Sequence, residues 1–109
     1  MVSNSDRKGY ARIDVSASGD STIISAPTNG HIEIDHLEMI PTGGANTITV
    51  TLGVQVFAYA LDDNQAYVYD RTTDNTLQCD EATLFKINLS AATQVSGFVL
   101  YRIVGESGI

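Results

Sequence analysis

The sequence predicts an all-β protein, a single antiparallel β-sandwich or barrel of about eight strands, and three observations predict it. Apolar and polar residues alternate with a period of two over most of the chain. The positions that carry the pattern are rich in Ile, Val and Thr, which lose rotamer freedom in a helix but sit well on a pleated surface. Turn signals with a mechanism separate the runs: "APTNG" at 26–30, "PTGGAN" at 41–46 and "LDDNQ" at 61–65.

Taken in order, residues 1–12 read as a polar arm ahead of a sandwich domain over 13–109, and the first two strands fall near 11–16 and 21–26. The third spans 31–40. There the apolar positions Ile32 and Ile34 are followed by Leu37 and Met39, so the phase slips by one near Asp35 and His36, and a β-bulge is expected to absorb the slip. A long strand is expected over 46–60, opening on "TITVTL", where Thr47, Thr49 and Thr51 alternate with Ile48, Val50 and Leu52. Shorter runs follow at 66–70 and 75–80. The chain ends in two more strands, 84–90 and 96–104, joined by a small-residue turn.

Two of these runs are apolar in both phases. In "GVQVFAYA" Val54, Val56 and Ala58 occupy one phase and Phe57 and Tyr59 the other; "GFVLYRIV" is similar. A sandwich's outer face normally prefers polar residues, so such strands are covered on the second face by a subunit contact or by loops of the same chain.

Composition excludes several function classes. A chain of 109 residues buries one modest core, and 43% hydrophobic against 17% charged residues is too apolar for a disordered tail. The net charge of −7 opposes nucleic-acid binding, which draws on clustered Lys and Arg. The charge is uneven: residues 1–12 hold Arg7, Lys8 and Arg12 against Asp6 alone, whereas the body is strongly acidic. Cys79 is the single cysteine, so no internal disulfide forms. No segment has the apolar run of a signal peptide or membrane span, and the reading is a soluble protein made in the cytoplasm.

Candidate chemistry is sparse. His31, Glu33 and Asp35 share a strand face, with His36 just past the bulge, but one imidazole and two carboxylates fall short of a metal site and read as a solvated face. Asp62, Asp63, Asn64, Asp70, Asp74 and Asn75 match no calcium-loop spacing and suit turns. No local signature equips Cys79 with a base, and no nucleophile elbow or phosphate-cradling loop is present; neither an enzyme nor a cofactor is expected. Tyr67 and Tyr69 lie two apart, so their rings share a face that suits either a stacked sugar or a protein interface.

The closing stretch "INLSAATQVSGFVLYRIV" carries a resemblance. Leu89, Ser90, Ala91, Ala92, Gln94, Val95, Gly97 and Tyr101 match a pattern common at the end of small all-β proteins encoded among tailed-phage structural genes. Upstream, "STIISAPTNGHIEIDHLEMIPTGGANTITVTL" is similar to the opening of the same family. The resemblance covers roughly residues 20–104 and implies a jelly-roll-like β-sandwich displayed on the capsid exterior of a virion. It further implies a head decoration or cement protein, commonly a homotrimer, that binds the major capsid protein and stabilises the shell. In that reading Arg7, Lys8, Tyr10 and Arg12 form a capsid-binding arm, and Phe57, Tyr59, Tyr67, Tyr69, Phe98 and Tyr101 face sister subunits or the partner. The second reading is a glycan- or receptor-binding module of a tail or fibre.

Overall fold

The computed structural model describes residues 7–72 and 77–105. Among the described residues there are eight strands, β1 (Arg7–Val15), β2 (Gly19–Ile24), β3 (His31–Thr42), β4 (Asn46–Thr51), β5 (Val56–Leu61), β6 (Tyr67–Asp70), β7 (Phe85–Leu89) and β8 (Gln94–Val104). They form two four-stranded antiparallel sheets, ordered β1-β8-β3-β6 and β2-β7-β4-β5.

The order has a simple origin. β1 pairs with β8, β2 with β7, β3 with β6 and β4 with β5, so the chain is one long hairpin rolled up on itself. Additional pairing of β3 with β8 and of β4 with β7 completes the two sheets. This is the jelly-roll arrangement, and the β-sandwich expected from the sequence is the fold.

Alternation explains which residues fill the space between the sheets. Ile48 and Val50 of β4, Phe85, Ile87 and Leu89 of β7, Ile32, Ile34, Leu37 and Met39 of β3, and Val95 and Val99 of β8 are all buried. Cross-strand neighbours repeat the pattern, so that Ile48 stands beside Leu89 and Leu37 beside Val99. The bulge falls where the phase slips, between Ile34 and His36. It turns Leu37 and Met39 back onto the core side.

Three expectations differ from the structure. The run 46–60 is two strands: Gly53, at φ +105°, occupies the first central position of a hairpin turn closed by Leu52 N–H donating to Gln55 C=O at 2.9 Å. The run 75–80 is no strand among the described residues, but an isolated bridge of Gln78 to Glu33, held by Ile34 N–H on Leu77 C=O and Cys79 N–H on Ile32 C=O. Finally, β1 begins at Arg7, so residues 7–12 of the expected arm are paired strand and residues 1–6 lie outside the described residues. The inward positions Gly9 and Ala11 escaped the pattern because they are small: Gly9 lies beneath the Tyr101 ring, which fills the place a Cβ would take.

Candidate binding face

The outer face of the β1-β8-β3-β6 sheet gathers the side chains that the core does not use. Across the sheet, Arg12 stands beside Phe98 and Phe98 beside Glu38; one row on, Tyr10 stands beside Leu100, Leu100 beside His36 and His36 beside Asp70. Residues from four distant parts of the chain therefore meet on one surface.

Phe98 is its centre. Its ring stacks on Tyr10 on one side, with centroids 6.1 Å apart, and on His36 on the other, at 5.3 Å and 17° between planes. Tyr10 is 63% exposed, Val68 55% and Leu100 40%, so the cluster is an apolar island open to solvent. Contiguous exposed apolar patches are a feature of interaction surfaces in general. At one rim the Arg12 guanidinium approaches Asp14 at 3.7 Å, and Gln94 donates to Asp14 at 2.7 Å.

The opposite rim is an ionic network built by the bulge. Asp35, at the extra position, accepts from Arg71 Nη1 at 3.2 Å and from Arg102 Nε at 3.0 Å. Arg71 Nη2 also reaches Glu33 at 3.0 Å, and Glu33 meets the His31 ring at 2.8 Å. Asp35, Arg71, Thr72 and Arg102 line a shallow cleft there. His36 is similarly held, with Nε2 3.0 Å from Glu38. His31 and Asp35 thus face separate partners, and among the described residues no three acidic, His or Cys side chains converge as metal ligands.

The remaining expected site residues divide. Lys8, Tyr10 and Arg12 project from the outer face with Phe98, whereas Arg7 sits at the end of the sandwich beside a cleft shared with Tyr101 and Pro27. Tyr69 is 3% exposed and lies in the core, its hydroxyl oxygen accepting from Leu77 N–H at 3.2 Å. Tyr67 shares its inward face and stacks on Tyr59 with centroids 4.0 Å apart, its hydroxyl donating to that of Tyr59 at 3.1 Å. This pair closes the sandwich between β5 and β6, and Tyr67 and Tyr69 do not form a sugar platform. Phe57 packs at the margin of the core, and so does Tyr101. His36, Leu100, Val68, Arg71 and Arg102 were not expected at the site; register alone brings them there.

The loop carboxylates serve turns. Asp63 accepts from the N–H groups of Gly43 and Gly44, Asp80 from that of Val54, Glu81 from that of Gly30, and Asp70 from that of Thr72. Asp74 and Asn75 lie outside the described residues. Cys79 is buried, and burial, with a smaller contribution from the Asp80 carboxylate, pushes its thiol up to about 12. Near neutral pH it holds no thiolate for attack. Cys79 should therefore react with an aromatic disulfide reagent at pH 8 roughly a thousandfold more slowly in the native protein than in denaturant; equal rates would show an open thiol.

No family model matches the chain, and no curated protein matches it.

Proposed function

We propose that the protein is a non-catalytic virion component that binds the outside of a phage capsid and reinforces it. The reading draws on the resemblance carried by residues 84–104, and the observation that carries it furthest is the exposed Tyr10–Phe98–His36 stack with Leu100 and Val68. Reinforcement of a shell requires no chemistry: each bound copy adds interface free energy, and symmetry multiplies it. The face is suited to such contact. Aromatic rings supply large contact area at small entropic cost, and Lys8 and Arg12 at the rim offer positive charge to an acidic partner surface.

Point substitutions test this better than truncation, because removing residues 1–10 would strip paired residues from β1. The double variant Tyr10→Ser, Leu100→Ser removes two exposed anchors and leaves the core untouched. Each central anchor is worth about 2 kcal/mol, so occupancy on capsids of the encoding phage should fall at least tenfold at limiting protein. Unchanged occupancy, with an unchanged circular dichroism spectrum, would exclude this face as the attachment surface.

A further inference from the structure

Four strands lie at the margins of the two sheets, and three of them carry features that block pairing with another chain. β1 bears Arg7, Lys8, Arg12 and Asp14; β2 bears Asp20 and is interrupted by a bulge between Thr22 and Ile24; β6 has four residues and ends at Asp70. Charges, bulges and shortness are how natural sheets protect their edges. β5 has none of these. Its six residues, VFAYAL, contain no charge and no proline, and they pair with β4 in unbroken register from Val56 opposite Thr51 to Leu61 opposite Asn46.

The direction of its free hydrogen-bonding groups follows from the hairpin. The Leu52–Gln55 bond closes the turn, so successive residue pairs alternate between bonded and non-bonded. Phe57, Tyr59 and Leu61 consequently exchange bonds with β4, whereas the N–H and C=O groups of Val56, Ala58 and Ala60 point to the open side. Val56 is 55% exposed, Ala58 and Ala60 are exposed, and no described segment pairs with that side.

We propose that β5 pairs antiparallel with β5 of a second copy about a twofold axis at Ala58, joining two four-stranded sheets into one of eight. The sequence is complementary to itself in this register. Ala58 meets Ala58, Val56 meets Ala60, and Phe57 comes opposite the second copy's Tyr59, an aromatic cross-strand pair at the close, non-bonded position. Roughly six hydrogen bonds form across the axis. Charge permits the same partner: two copies each carrying −7 repel, least where uncharged surfaces meet, and β5 with its outward neighbours Thr47, Thr49 and Thr51 is uncharged. The pairing lies on the sheet opposite the aromatic face, so both surfaces work at once. It also closes at two copies, in place of the threefold assembly that the resemblance implies.

The test is the native mass of the full chain by light scattering across a concentration series, with hydrogen exchange on the same samples. The expected mass is twice that of the chain. Amide exchange at Val56, Ala58 and Ala60 should slow at least tenfold as concentration rises, while Phe57 and Tyr59, already bonded to β4, should not change. Ala58→Lys places two ammonium groups against each other at the axis and should leave a monomer with an unaltered fold. A monomer or a trimer at all concentrations overturns the proposal. So does a dimer in which the exchange of those three amides is independent of concentration, a result that stands even if the lysine variant does not fold.

Discussion

Asn46→Ala should lower folding stability by about 3 kcal/mol, read as a drop in the urea midpoint at unchanged slope. Asn46 is 3% exposed at the start of β4, and its side chain holds the turn between β7 and β8. Its amide nitrogen donates to Ala91 C=O at 2.9 Å and to Thr93 Oγ1 at 2.7 Å. Its oxygen accepts from the N–H groups of Ser90 and Ala91, at 3.1 and 3.2 Å. Truncation takes this partner from the Ala91 N–H and C=O, while the Ser90 N–H keeps its bond to Thr47 C=O at 3.1 Å, and an unmet buried group costs more than the bond was worth. Asn46→Asp separates the two halves of the interaction. A carboxylate keeps the acceptor side but has nothing to donate to the Ala91 carbonyl, so it should restore only part of the loss. A loss below 1 kcal/mol for the alanine variant would mean that water replaces the amide.

Gly97→Ala should be about as damaging, about 3 kcal/mol, at the upper end of what overpacking usually costs. Gly97 lies in the middle of β8, between Ile13 of β1 and Met39 of β3. A Cβ there would run into the backbone carbonyl of Glu38, and Met39 Cα is close behind. Both obstacles are main chain in the central strand pair of the sheet, so neither can turn aside as a flexible side chain would. Ser96→Ala, one residue away on the outer face, is the control and should change stability by less than about 1 kcal/mol. Thermal melts of the three proteins decide the matter; a melting temperature for Gly97→Ala within a degree or two of the parent would show that β8 can move away from β3.

These two residues also show what the sequence revealed and what it withheld. The pattern "LSAATQVSG" was visible, and its Gly97 and Ser90-Ala91 now have physical reasons: a close strand approach and an asparagine-clamped turn. Period-two alternation located most strands, and the bulge was legible because a one-residue slip reverses every apolar side chain after it. Where both phases are apolar the rule has nothing to distinguish. That is why the apolar pattern runs straight through the Gly53 hairpin. The same ambiguity applies to "AYVYD": Tyr67 and Tyr69 do share a face, but Val68 is apolar too, so nothing local tells which face is inward. The Asn46 clamp and the Arg71–Asp35–Arg102 network were hidden for a different reason. Their members are separated by tens of residues, and only the register of the folded sheets brings them together.

The rolled-hairpin pairing has a consequence in time. β1 lies between no other strand and β8, so residues 7–15 have no place in a sheet until residues 95–103 have been synthesised. Closing so long a loop must precede most of the gain from contact, which slows folding to the range of milliseconds to seconds typical of non-local β topologies. During translation the growing chain offers only the inner hairpin of β4 and β5 as a locally complete unit. An unguarded β5 edge is thus on display before the rest of the sandwich exists, and the cell meets it first as a nascent hairpin.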